Sequence, residues 1–89
     1  MLNMKRFQYI ITDPMGLHAR PAGKLAKVAK ALDSTITVIK EDGKSANATR
    51  LMSVMTLAMK AGQTVTVTVE GGDEEANLAT IEAFFKENL

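Results

Sequence analysis

The chain has 89 residues, of which 46% are hydrophobic and 24% are charged, and its formal net charge at pH 7 is +1. This length predicts one globular domain over residues 1–89. The lack of cysteine and the single histidine exclude disulfides, thiolate chemistry and multi-histidine metal sites. No apolar run is long enough to span a bilayer and residues 1–6 do not resemble a secretory signal, so we expect a cytoplasmic protein without direct membrane insertion.

Charge is unevenly distributed along the chain. Residues 1–60 hold ten Lys and Arg against four Asp and Glu, whereas residues 61–89 hold one Lys against six Asp and Glu. The helix dipole favours acidic residues at the start of a final helix, which would explain the excess of Asp and Glu in residues 61–89. The excess of Lys and Arg in residues 1–60 could form a basic face that attracts an acidic partner or an anionic substrate.

The first third of the chain reads as a strand followed by a helix. Residues 7–12 are β-branched and aromatic with period-two alternation, and residues 13–16 have turn chemistry. A helix is predicted over residues 19–32, because its apolar side chains recur on one face. The opposite face of that helix carries Arg20, Lys24 and Lys27. Taken alone, such a basic stripe is typical of a solvated helix surface.

The next two strands are predicted to form a hairpin. Residues 35–40 are rich in β-branched side chains, and residues 44–48 follow with a weaker strand pattern. Between them, Asp42-Gly43 predicts a two-residue turn of type I′, which requires a positive φ at both positions.

Residues 50–60 read as a short helix with a wide apolar arc. At about 100° per residue, Ser53, Thr56 and Lys60 share one narrow polar arc. The rest of the surface is apolar, and Met52, Met55 and Met59 lie together on one side of it. One interpretation is a deeply buried helix. The other is a helix that packs on one flank and leaves Met52 and Met55 partly exposed, as suits docking to several partners.

Residues 63–70 show the clearest strand, with a valine face and a threonine face, which predicts a sheet covered on one side only. Asp73 is the predicted N-cap of a last helix that continues to about residue 88. The element order βαββαβα predicts an α+β domain with three helices on one face of a four-stranded, mainly antiparallel sheet.

His18 lies at the junction between the predicted turn and the first helix. The first N–H groups of a helix lack intrahelical partners, so a helix start attracts anions. If His18 is the N-cap, the amides of Ala19 and Arg20 are free to donate hydrogen bonds. Gly16 allows the backbone to approach a bound group, and the guanidinium of Arg20 can bind a phosphoryl group bidentately. We therefore expect His18 to carry a phosphoryl group in this backbone cradle, without a metal or cofactor.

Three segments together resemble the HPr family, the histidine-containing phosphocarrier proteins of the bacterial sugar phosphotransferase system. They are residues 16–22 (GLHARPA), the hairpin at 42–44, and residues 51–55 followed by Leu57. The resemblance extends from about residue 7 to residue 85. It implies an open-faced β-sandwich fold and a monomeric phosphocarrier domain.

The resemblance also implies a function. His18 would accept a phosphoryl group on Nδ1 from phosphorylated enzyme I and pass it to a sugar-specific IIA domain, as a stoichiometric carrier and not as an enzyme. Arg20 would neutralise charge on the transferring group. The docking surface that the resemblance suggests for both partners comprises Arg20, Lys24, Lys27, Leu51, Met52 and Met55. We expect the cation Arg50 to extend its basic rim.

Arg50 departs from the family pattern. Many members have at this position a serine that an ATP-dependent kinase phosphorylates. The resemblance therefore implies that serine-based regulation is absent here, since the neighbouring Thr49 and Ser53 are out of register.

Three alternatives stay open at this point. The carrier could serve a regulatory, nitrogen-type branch instead of sugar uptake. The chain could also be a small basic nucleic-acid-binding domain, although its acidic last third and only four aromatic residues argue against that class. A regulatory protein that has the fold but carries no phosphoryl group is disfavoured, because His18 and Arg20 are both present.

Overall fold

The computed structural model describes residues 4–89, and residues 1–3, with their part of the signal-sequence prediction, lie outside the described residues. Seven elements follow one another in the predicted order βαββαβα. They are β1 (Met4–Ile10), α1 (Ala19–Lys30), β2 (Thr35–Ile39), β3 (Ser45–Asn47), α2 (Leu51–Thr56), β4 (Thr64–Glu70) and α3 (Glu74–Asn88).

The four strands form one antiparallel sheet in the order β1-β4-β2-β3, with the helices on one face as predicted. β1 begins at Met4, three residues before its predicted start, because Met4 pairs with Glu70 at the far end of β4. The alternation of residues 7–12 does not reveal this extension, since the pairing partner lies more than sixty residues away along the chain.

The core lies between the sheet and the helices. The valine face of β4 is fully buried, and Leu25 of α1 and Ile81 and Phe85 of α3 pack on the same side. Phe85 is the centre of an aromatic cluster, since Phe7, Tyr9 and Phe84 each meet its ring edge-on with centroids 5.6–6.2 Å apart. Edge-to-face pairs of this kind contribute about 0.5–1.5 kcal/mol each beyond their burial.

The hairpin between β2 and β3 is present, but its predicted turn type is wrong. Asp42 does not have a positive φ, whereas Gly43 does, at 92°. The amide of Gly43 donates to the carbonyl of Lys40 (2.9 Å), and the amide of Lys40 donates to the carbonyl of Lys44 (2.8 Å). The loop therefore has three residues, a type I turn followed by a glycine bulge, which needs a positive φ at only one position.

α2 is shorter than the predicted helix over residues 50–60. It ends at Thr56, and Ala58 adopts a left-handed conformation with φ 53°. The helical wheel is therefore wrong beyond Thr56, and Met59, which the wheel groups with Met52 and Met55, is only 3% exposed. The chain reverses at Ala58 and brings the backbone of Met59 to the loop that precedes α1.

A polar cluster fixes the end of the molecule at which α1 ends and α3 begins. The side-chain amide of Asn77 donates to Asp33 Oδ1 (2.6 Å) and to Ser34 Oγ (2.7 Å), joining the end of α1 to the start of α3. The bond from Asn77, together with one from the backbone amide of Asp73 (3.3 Å), holds the pKa of the Asp33 carboxyl below its ordinary value. The predicted N-cap is confirmed, since Asp73 Oδ1 accepts from the amide of Ala76 (3.3 Å).

Candidate functional site

His18 is the N-cap residue of α1. Its backbone is extended (φ −90°, ψ −172°), and its side chain makes no capping hydrogen bond. The imidazole is half-buried, so part of the ring is open to solvent. The ring is therefore not used to cap the helix and can react with a group outside the protein.

Two backbone amides at the start of α1 are unpaired. The first intrahelical bond runs from the amide of Ala22 to the carbonyl of His18 (3.0 Å). The amides of Ala19 and Arg20 precede it, and no acceptor for either occurs within residues 4–89. Pro21 has no N–H, so its place in the first turn costs no hydrogen bond. The N-terminus of α1 thus offers two donors to an anion beside the imidazole.

Gly16 does not belong to this cradle, contrary to the sequence-based expectation. It is buried, and its amide already donates to the carbonyl of Asp13 (2.8 Å). Its φ is 67°, and a Cβ at this position would overlap the carbonyl oxygen of Met59 and lie 2.9 Å from the Cα of Lys60. The glycine is required for close approach of two protein segments, not for approach of the backbone to a ligand.

The loop that carries His18 is held from two sides. The amide of Leu17, whose side chain is 3% exposed, donates to the carbonyl of Met59 (3.0 Å). The carbonyl of Leu89 accepts from the amides of Thr12 (2.6 Å) and Asp13 (2.8 Å) and from the Thr12 hydroxyl (2.8 Å). These long-range bonds fix the position of the imidazole relative to α2 and α3, and sequence patterns give no signal for them.

The basic side chains predicted on α1 are all exposed. Arg20, Lys24 and Lys27 lie on the side of the helix away from the buried Leu25 and Ala29. A small cleft of about 60 Å³ lies beside the first turns of α1. It is lined by Asp13, Arg20, Pro21, Lys24 and Asn88.

α2 packs against α1 and presents apolar side chains to solvent. Met52 is 71% exposed and Leu51 is 37% exposed, whereas Val54 is fully buried and Met55 is half-buried against the core. The helix therefore packs on one flank and leaves Met52 and Met55 partly exposed, which was the second interpretation of its wide apolar arc. Sequence reasoning missed Met15, which is also 71% exposed, although a methionine in a turn next to His18 was a usable signal.

Arg50 is the N-cap of α2 and is exposed, and its side chain makes no capping bond. Its amide donates to the carbonyl of Asn47 (3.0 Å). The amide and the hydroxyl of the preceding Thr49 both donate to Asn47 Oδ1 (2.9 and 2.6 Å), so this hydroxyl is held by the fold. Ser53, in contrast, is exposed.

The described part of the chain has two further properties. Among residues 4–89, no helix combines the length and hydropathy needed to cross a bilayer. Nor do these residues contain a group of three His, Cys, Asp or Glu side chains close enough together to hold a metal ion.

Comparison with known proteins decides the family. The family model described as the PTS HPr component phosphorylation site matches residues 5–87. The phosphocarrier protein HPr of Mycoplasma genitalium is 36% identical over 85 residues, which cover 96% of this chain and 97% of the relative. The chain belongs to the HPr family.

Solved HPr structures share the fold as well as the sequence. A histidine-containing phosphocarrier protein from Mycoplasma is 40% identical, with a TM-score of 0.85 and coverage of 90% of each chain. HPr from Bacillus anthracis is 33% identical, with a TM-score of 0.83 and coverage of 92% of this chain and 96% of that protein. The expected open-faced β-sandwich is thus confirmed, and the chain is an HPr-type phosphocarrier of the phosphotransferase system.

Proposed function

We propose that His18 accepts a phosphoryl group from phosphorylated enzyme I and passes it to a sugar-specific IIA domain. The observation that carries this proposal is the position of the imidazole. It is half-buried outside the core, it is not used as a helix cap, and it adjoins the unpaired amides of Ala19 and Arg20. Because these donors are held by the helix, they need no rearrangement when the phosphoryl group arrives.

The transfer exchanges one nitrogen–phosphorus bond for another. The lone pair of His18 Nδ1 attacks the phosphorus, the bond to the donor histidine breaks, and its electron pair returns to the donor ring. The guanidinium of Arg20 neutralises charge that spreads over the phosphoryl oxygens, and the helix amides hold the product anion. In the second transfer a histidine of the acceptor attacks the phosphorus, the bond to His18 Nδ1 breaks, and its electron pair returns to the His18 ring, so the protein acts as a stoichiometric carrier.

Intact-mass analysis after incubation with enzyme I and phosphoenolpyruvate tests the phosphorylation site. One acid-labile phosphoryl adduct is expected in the parent protein and none in His18→Ala. Because the ring makes no capping bond, the variant should unfold at the same urea concentration as the parent. An adduct that persists in the variant, or is absent from the parent, contradicts the proposal.

The docking surface is proposed to bind both partners. Exposed apolar side chains on α2 surrounded by cations suit a small interface with an acidic, apolar-lined protein and fast, steered association. Met52→Ala should weaken binding to enzyme I. Ile10→Ala is the matched control, because Ile10 is 59% exposed on the uncovered face of the sheet. Equal losses in the two variants would place the interface elsewhere.

The identity of the acceptor separates two versions of this function. Timing the transfer from the phosphorylated protein to sugar-type and to nitrogen-type IIA domains distinguishes sugar uptake from a regulatory branch. We propose a cytoplasmic location for the protein, and we propose that it acts as a monomer because one site suffices for transfer. The nucleic-acid alternative is disfavoured by the aromatic residues, since Phe7, Phe84 and Phe85 are buried and Tyr9 packs on Phe85.

Regulation through the start of α2 is proposed to be absent. The N-cap side chain there is the guanidinium of Arg50, which has no hydroxyl to phosphorylate. The adjacent Thr49 hydroxyl is bonded to Asn47 and precedes the helix. Incubation with an ATP-dependent HPr kinase should therefore add no phosphate, and a phosphorylated Thr49 or Ser53 would contradict this.

A further inference from the structure

The cleft beside the start of α1 contains a carboxylate that phosphoryl transfer does not use. Asp13 comes from the loop after β1, Arg20 and Lys24 come from α1, and Asn88 comes from the last turn of α3. The side-chain amide of Asn88 is uncharged, and its nitrogen donates one hydrogen bond to the carbonyl of Phe84 (2.9 Å). One carboxylate and two cations are therefore the charged groups that share this cleft.

The carboxylate of Asp13 is fixed in place. Its Oδ1 accepts from the amide of Met15 (2.8 Å), and the backbone of Asp13 is bonded to Gly16 and Leu89 (both 2.8 Å). Asp13 is half-buried, whereas Arg20 is exposed. A held anion and an exposed cation thus line the same cleft of about 60 Å³.

We propose that Asp13 is a positioning residue for Arg20, and that its carboxylate competes with the phosphoryl group on His18 for the guanidinium. This inference rests on the proposed function of His18. In the unphosphorylated protein Asp13 attracts Arg20 into the cleft. After phosphorylation Arg20 must move away from Asp13 to neutralise the phosphoryl group. The phosphorylated form is therefore less stable than it would be without Asp13. The carboxylate thereby helps the carrier to release its group to an acceptor.

Asp13→Asn removes the charge and keeps an oxygen that can accept from the amide of Met15. The equilibrium with phosphorylated enzyme I should shift toward the phosphorylated carrier by about three- to tenfold, as expected for one charge pair near a protein surface. Spontaneous hydrolysis of the phosphohistidine should slow. A substitution that merely damaged the loop would shift both measurements in the opposite direction.

Asp42→Asn is the matched control. Asp42 Oδ1 likewise accepts from the backbone amide two residues later, that of Lys44 (2.9 Å), but in the exposed hairpin between β2 and β3. This variant loses the same charge from the same kind of turn and should leave the phosphorylation equilibrium within about twofold of the parent. An equal shift in both variants would mean that net charge, and not the cleft, is responsible.

A double variant tests the route through Arg20. In an Arg20→Ala background, Asp13→Asn should have no further effect on the equilibrium. An effect that persists there indicates direct repulsion between Asp13 and the phosphoryl group and overturns the positioning role, as does an unchanged equilibrium in the single variant. These failures are distinct from failure of the proposed function, in which the parent protein acquires no phosphoryl group on His18.

Discussion

Gly16→Ala tests whether the loop that carries His18 is fixed by close contact with Met59. At φ 67°, a residue with a Cβ costs about 1–2 kcal/mol relative to glycine. The added Cβ also overlaps the Met59 carbonyl, so the loop must shift and stretch the bond from Leu17 to Met59, worth about 1 kcal/mol. Steric repulsion from Lys60 adds to this, and we expect a total loss of about 3 kcal/mol.

Urea unfolding followed by far-ultraviolet circular dichroism measures this loss, with Gly43→Ala as the control. Gly43 also has a positive φ, 92°, but nothing lies within 4 Å of the position that a Cβ would take there. The control should therefore lose only the conformational part, about 1–2 kcal/mol. If the free energies of unfolding of the two variants agree within about 0.5 kcal/mol, contact with Met59 does not fix the loop.

Three other substitutions give measurable effects. Ala58→Gly should raise the free energy of unfolding by about 0.5–1 kcal/mol, because φ 53° strains alanine, and destabilisation would contradict this. Asp33 stabilises the fold above its ordinary pKa and loses this effect as the pH falls through its lowered native pKa. Asp33→Asn should therefore flatten the acid limb of a stability–pH curve, and an unaltered limb would show that the carboxylate is not involved. Arg50→Ser should weaken the complex with enzyme I, most strongly at low salt, whereas equal affinities at all salt concentrations would remove Arg50 from the docking surface.

Local sequence patterns predicted the element order because each strand or helix has its own periodicity and its own breaker. The valine and threonine faces of β4 and the N-cap at Asp73 are examples, since both depend on neighbouring residues alone. The position of His18 at the start of α1 was also readable, because turn residues precede it and Pro21 follows in the first turn.

Features that depend on distant segments could not be predicted. The wheel over residues 50–60 failed because α2 ends before a left-handed turn at Ala58, and no glycine marks that turn. The role of Gly16 was misassigned because its close neighbour, Met59, lies more than forty residues further along the chain. The cluster of Asn77 with Asp33 and Ser34 was not foreseen for the same reason.

The bond from the Leu17 amide to the Met59 carbonyl links the loop that carries His18 to the segment that follows α2. On the proposed docking surface both partners would meet the same preformed residues, so one would have to leave before the other could bind. The exchange would then be a shuttle in which every cycle includes two dissociation events. The rate of phosphoryl transfer by such a shuttle is limited by the dissociation rates of its complexes, so the useful affinity for each partner has an upper bound.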